Sequence, residues 1–286
     1  MKRVRQTITI LLLFLYSVAA AAQQYVYTPY DSIRVEKALE HSINCSEQDC
    51  ISESALLFLG LPYVASTLDS CTLERIVINT REYDCTTFIE TIAAIAITAK
   101  RGSRCFSDFC HTLQSLRYRN GICDGYPSRL HYISQWIADS TKQGIIEEIV
   151  GNSHTATQRL NLSFMSSHPT SYKQLKEIPY LVAEIEKFEQ PFRNIDIRYI
   201  PKSALNGSPS QLNIKNGDII ALVTSIKGLD VTHVGFARWI EGRLHLIHAS
   251  SGKGATIIDE QTLYDYMRTK KSSLGVRVFR VLNNQK

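Results

Sequence analysis

The sequence predicts an α+β fold in which helices come first and an antiparallel sheet comes last. Two observations carry this. Up to Phe188 the apolar residues recur mainly at helical spacing, and from Ile195 onward they fall in short β-type runs separated by turn clusters. No repeat, low-complexity tract or linker divides the chain, so one domain, residues 23–286, is expected after a leader.

The leader reads as an address. Lys2, Arg3 and Arg5 precede an apolar run from Ile8 to Val18 and then a row of alanines, the layout of a signal peptide over residues 1–22, cut after Ala22. The run falls short of the about 20 residues that span a bilayer, and no cysteine follows it to carry a lipid. A periplasmic or secreted protein is expected, with no stable membrane insertion after cleavage. Three of the 32 Lys and Arg residues lie in the leader, leaving 29 against 27 acidic residues, a net charge of +2. A nearly neutral chain without a basic tract gives nucleic acid no footing as a partner.

The elements follow in order. Residues 31–40 (DSIRVEKALE) read as an amphipathic helix, and residues 52–64 as a second one ending near Gly60, with Pro62 past its end. RIVINT, residues 75–80, is β-rich. A helix apolar on nearly every side begins at Cys85 and stops at Lys100-Arg101-Gly102, cations then glycine. Residues 105–150 read as mostly helical, residues 154–169 as mixed, and residues 180–188 as another helix. Then come the β-runs IDIRYI, GDIIALVTS, HVGFARWI, RLHLIHAS and VRVFRVL, with the helix TLYDYMRTK before the last.

Seven cysteines follow the leader: Cys45, Cys50, Cys71, Cys85, Cys105, Cys110 and Cys123. In an oxidising compartment an odd number leaves one thiol unpaired or shared between molecules. Cys45 with Cys50, and Cys105 with Cys110, can close small rings, but sequence alone does not fix pairing. Cys85 stands apart because Tyr83, Asp84, Thr86 and Thr87 surround it at the polar mouth of a buried helix. A thiol in the first turn, at the positive end of the helix dipole and near a histidine, becomes a nucleophile. A buried structural cysteine is the bland alternative.

A base is available in the sheet. Strand alternation puts His233 on one face with Gly235, Ala237 and Trp239. The turn Glu241-Gly242-Arg243 brings a strand carrying His248 back beside it, so the two imidazoles can meet across the ladder. That supplies a base and an orienting partner. His245 and His248 have metal-ligand spacing, but on a strand they point oppositely, so neither metal nor cofactor is expected.

These residues carry a resemblance. Asp84-Cys85-Thr86-Thr87-Phe88 resembles the nucleophile motif of the NlpC-type cell-wall cysteine peptidases, a papain-like superfamily. Leu59-Gly60-Leu61-Pro62-Tyr63-Val64 is similar to the segment before it. Gly217-Asp218-Ile219-Ile220 with His233-Val234-Gly235-Phe236 resembles the strands that bear the base, and Ile247-His248-Ala249-Ser250 the strand of the third catalytic residue. Thr86-Thr87 replaces the usual Ser-Gly, and Ala65-Ser66-Thr67 the usual Trp-Gly-Gly. Together with the Leu-Gly-x-Pro-Tyr-Val-Ala segment, this resembles a branch of N-acetylmuramoyl-L-alanine amidases common in Bacteroidetes-type bacteria, acting on soluble muropeptides, notably anhydro-disaccharide forms.

The resemblance implies a papain-like (NlpC-type) core, in which the Cys85 helix packs on the antiparallel sheet and a long, mostly helical insertion over about 101–200 reshapes the cleft. It implies Cys85 as nucleophile, His233 as base and His248 as its orienting residue, with the Cys85 N–H as oxyanion donor. Tyr63 and Asp84 flank the site as substrate-binding residues. Arg129, His131, Tyr132 and Trp136 fall in the insertion, where planar and aromatic groups can stack on sugar, although helix packing accounts for Tyr132 and Trp136 equally well. Glu90 reads as a capping partner of Thr87. Peptidoglycan fragments are the implied partner and a monomer the expected state. A stem-peptide endopeptidase, a catalytically silent glycan-binding protein and a disulfide-stapled structural protein are the alternatives.

Overall fold

The computed structural model describes residues 25–45, 49–71, 73–151 and 155–282; the leader reading falls outside them. Chain order begins with β1 (Tyr25–Val26), α1 (Pro29–Ile43), α2 (Cys50–Leu56) and β2 (Ile76–Val77), then α3 (Cys85–Lys100), α4 (Phe106–Arg117) and α5 (Ile133–Lys142). β3 (Ile146–Ile149), β4 (Ala156–Asn161), α6 (Phe164–Ser167), α7 (Lys173–Glu177) and α8 (Leu181–Glu189) follow. The remainder holds β5 (Arg193–Pro201), α9 (Pro209–Leu212), β6 (Ile219–Thr224), β7 (Val231–Ile240), β8 (Arg243–Ser250), β9 (Ala255–Ile258), α10 (Leu263–Arg268) and β10 (Ser273–Val281).

Eight strands form one antiparallel sheet in the order β4-β5-β10-β6-β7-β8-β9, with β3 also paired to β10. Where β5 crosses β10, Gly275 is obligatory because a side chain there would collide with the Ile200 carbonyl. β6, β7 and β8 are apolar on both faces because both are covered. Ile219, Ala221, Val234, Phe236 and Ile247 face α3, whose Ile89, Ile92, Ala93 and Ala96 are buried against them. Val35 and Leu39 of α1 and Leu113 of α4 close α3 from behind, which is why it can be apolar all round. Leu222, Ala237 and Leu246 face the other way, under Leu263 and Met267 of α10.

Glu90 does not serve Thr87. It lies deep in α3 and pairs with buried Arg117 at 2.6 Å, and Arg117 also donates to the Val77 carbonyl at 2.6 Å. Either partner alone would be an uncompensated buried charge, so this pair ties α3 and α4 to the β2 segment. The second helix is shorter than expected. α2 ends at Leu56, turns lead to Gly60 at φ +77°, and Pro62 and Tyr63 bridge to Ala255 and Tyr83. Residues 105–150 are not helical throughout. The GIIEEIV run contains β3, whose Ile146 and Ile149 are buried while Glu147 and Glu148 are exposed. β3, β4 and β5 join the main sheet, so residues 101–200 extend it rather than forming a separate layer.

Candidate active site

The first turn of α3 is built by its own residues. The Asp84 carboxylate accepts the Thr87 N–H at 2.8 Å, and the Asp84 N–H donates to the Thr87 hydroxyl at 3.0 Å, a reciprocal capping box. This leaves the N–H groups of Cys85 and Thr86 without an oxygen partner among the described residues. They are two donors at the positive end of a 16-residue helix. The Cys85 sulfur sits within reach of the Val234 N–H, one residue from His233.

A bulge places His233. Leu222 pairs with His233 but Val223 pairs with Val231, so Thr232 is an extra residue that re-aims the start of β7. His233 Nε2 and His248 Nδ1 lie 2.6 Å apart, with rings nearly perpendicular at 86°. Gly235 makes room for this approach, since a Cβ there would stand 2.9 Å from the His248 Cβ and 2.8 Å from the Ile247 carbonyl. On its other side His248 Nε2 faces the Asp259 carboxylate at 3.3 Å. Asp259 is held in turn: Gln261 N–H donates to its other oxygen at 2.9 Å, and His245 Nδ1–H donates to its carbonyl at 2.9 Å.

The tautomers follow from these partners. Asp259 can only accept, so His248 Nε2 carries the proton and His248 Nδ1 is an acceptor. His233 Nε2–H then donates to His248, which leaves His233 Nδ1 as the lone pair able to act as a base. Burial pushes Cys85 up to about 11, with the Asp84 carboxylate adding to the rise, while the Val234 N–H and Thr86 hydroxyl oppose it. Burial pushes His233 down to about 3, and His248 and Lys270 push the same way. Desolvation thus opposes the helix dipole at Cys85 and favours the neutral form of His233.

Cys85 and His233 lie in a cleft of about 280 Å³. Thr86, Asp84 and Val234 share its wall, and the 101–200 segment supplies Tyr126, Arg129, His131, Tyr132, Met165 and Tyr172. A slightly smaller cavity beside Lys100 and Arg280 is far from this chemistry and lacks a nucleophile. Arg129 is fixed by a bidentate bridge to Glu74, at 3.0 and 2.7 Å, and by Asp69 at 3.0 Å, with its guanidinium 5.1 Å from the Tyr126 centroid. His131 donates Nε2–H to the Tyr126 carbonyl at 2.9 Å, and burial, then Arg129, push it down to about 3. It is a neutral ring in the cleft wall.

Tyr63 stands beside Cys85 and Asp84, which add to the rise that burial imposes on its phenol. Trp136 is a correction. It is 1 % exposed in the core on the inner side of α5 and does not reach the cleft. Among the described residues no cluster of His, Cys, Asp and Glu is arranged to hold a metal ion. Cys45, Cys50, Cys85, Cys105, Cys110 and Cys123 carry free thiols. Asp259 is the site residue that sequence reading missed. It sits just past β9 in a turn, where neither period nor motif marks it.

Residues 53–276 match the AmiA-like family, described as N-acetylmuramoyl-L-alanine amidase-like. The chain belongs to this family. A crystal structure of an N-acetylmuramoyl-L-alanine amidase from Bacteroides uniformis is similar at 40 % identity and TM-score 0.76, over 81 % of this chain and 97 % of that one. A structure from Bacteroides fragilis described as a putative xylanase is 44 % identical, TM-score 0.75, over 79 % of this chain and 99 % of that one. A Legionella pneumophila protein at 22 % identity and TM-score 0.64, over 87 % of this chain and 93 % of that one, shares the fold. No curated protein matches. Family membership makes the protein an amidase-like hydrolase with a peptidoglycan-derived substrate.

Proposed function

We propose that the protein is a papain-like cysteine amidase that hydrolyses the N-acetylmuramoyl–L-alanine bond of peptidoglycan fragments. The observation that carries this is the hydrogen-bonded line His233, His248, Asp259 leading to a thiol at the mouth of α3, in a chain of this amidase-like family. The leader sequence supports action outside the cytoplasm, periplasmic or secreted.

His233 Nδ1 takes the thiol proton as Sγ bonds to the lactyl carbonyl carbon, and the negative charge on the oxygen meets the free N–H groups of Cys85 and Thr86. The carbon–nitrogen bond then breaks, and imidazolium Nδ1–H protonates the leaving alanine amine. His248 and Asp259 stabilise that imidazolium, and water cleaves the thioester by the reverse use of His233. Tyr126, Arg129 and Tyr172 line the cleft and would receive the disaccharide, and Asp84, with Tyr63 beside it, would lie near the scissile amide.

Glycosidase chemistry, which the name of the Bacteroides fragilis relative raises, needs two available carboxyls flanking a glycosidic bond. The cleft carboxylates are already engaged. Asp69 binds Arg129, Asp84 caps α3, and Asp230 accepts the N–H groups of Ser134 and Val231 at 2.6 and 2.8 Å. The deciding experiment is mass spectrometry of a defined disaccharide-tetrapeptide incubated with the protein. Free disaccharide plus intact tetrapeptide is the expected result; a cut within the stem would make it an endopeptidase, and a cut between sugars would overturn the reading.

A further inference from the structure

His233 and His248 have an aromatic neighbour that the proton relay does not use. Tyr266, on α10, has its ring centroid 5.8 Å from that of His248 at 84° and 6.4 Å from that of His233 at 39°. Lys270, two residues past the helix, places Nζ 4.4 Å from the Tyr266 centroid. Placed end to end, the 4.4 and 5.8 Å vectors put the ammonium at most about 10 Å from the His248 ring. α10 is a firm carrier: Thr262 caps it, accepting the Asp265 N–H at 3.1 Å, and Leu263 and Met267 are fully buried beneath it.

We propose that Tyr266 and Lys270 form a cationic cover on the imidazole pair that positions both rings and shifts the acid limit of turnover. The charges around the pair are few. His233 faces His248, Tyr266 and Lys270 and shares the cleft with Cys85, while His248 faces His233, Asp259, Tyr266 and Lys270. Burial is the largest influence against the protonated state of His248; Asp259 favours that state and Lys270 disfavours it, so the two charges bracket the pair with opposite sign. Tyr266 itself, pushed up to about 12 by burial with Asp259 and Cys85 adding, stays neutral and transmits no charge of its own. It fills the space beside the rings and seats the ammonium through its π-face. Removing the Lys270 charge leaves burial as the remaining opponent of Asp259, and the histidines then gain a proton at higher pH.

The inference rests on Cys85 and His233 as the reacting pair but not on the identity of the substrate. Its test therefore reads the thiol directly: the rate at which iodoacetamide alkylates Cys85, followed by mass spectrometry of the Cys85 peptide across pH. In Lys270→Met the acid limb should move upward by about half a pH unit, the size of a partly screened charge at this distance. Lys270→Arg should keep the wild-type limb. Tyr266→Leu should move the limb as Lys270→Met does, and Tyr266→Phe, which keeps the ring, should not. A Lys270→Met limb that superimposes on wild type, or one that Lys270→Arg shares, would overturn the proposal. Both Lys270 variants alter an exposed side chain, so folding does not confound the reading.

Discussion

Replacing Asp259 by Asn should be more damaging than removing the side chain altogether. One Asp259 oxygen is claimed by the Gln261 N–H at 2.9 Å, so an Asn in its place must put its carbonyl there and its NH₂ against His248 Nε2. A donor facing Nε2 reverses the relay. His248 Nε2 becomes the acceptor, its proton moves to Nδ1, and the 2.6 Å bond then requires His233 Nε2 to accept. The His233 proton is left on Nδ1, the nitrogen that has to act as the base. The fold is kept, but the reacting tautomer becomes the minor one, and kcat should fall by about 10² to 10⁴. Asp259→Ala supplies no competing donor, leaves the tautomers free to exchange, and should lose less. The assay is kcat and KM for muropeptide hydrolysis together with iodoacetamide reactivity of Cys85, with thermal unfolding to confirm the fold. An Asn variant within about threefold of wild type, or an Ala variant worse than Asn, would refute the tautomer argument.

Gly235→Ala should force His248 away from His233, costing about 1–3 kcal/mol of stability by overpacking and lowering kcat more than it raises KM; unchanged kcat in a folded variant would show that β8 yields freely. His131 and His233 are held neutral down to about pH 3, whereas in the unfolded chain they titrate near 6.5. Below 6.5 the unfolded state therefore binds more protons, and stability falls by up to about 1.4 kcal/mol per pH unit for each. Buried Glu90, Asp218 and Asp230, raised by desolvation, act in the opposite sense. The check is thus the slope of urea-derived stability against pH, which should be shallower in His131→Gln than in wild type. Trp136→Ala should cost about 3–5 kcal/mol as a core truncation and leave KM unchanged; a raised KM in the folded variant would restore its place in substrate recognition.

What sequence reveals here depends on whether a residue's role is local. The α3 start was legible because Asp84, Cys85 and Thr87 break an otherwise apolar helix at its mouth, and a cap acts within one turn. The histidine pair was legible because strand alternation and a tight turn fix which side chains can meet. Asp259 was not, because its role depends on a turn after β9 that brings it under His248. Trp136 was misread for a related reason. An amphipathic helix shows which residues share a face, but not whether that face turns to the cleft or the core. β3 was missed because two buried isoleucines flanking two glutamates fit a helical period as well as an edge strand. The direction of the thiol's shift depends on the whole surrounding shell, which no local motif contains.

The central claim is that Cys85 forms the acyl-enzyme, and rapid-quench intact-mass analysis of the protein with a disaccharide-tetrapeptide tests it most directly. The account predicts an adduct on the Cys85 peptide carrying the sugar-lactyl portion with the tetrapeptide released, and neither adduct nor turnover in Cys85→Ala. Hydrolysis by Cys85→Ala at the wild-type rate, or an adduct on any other residue, would contradict it.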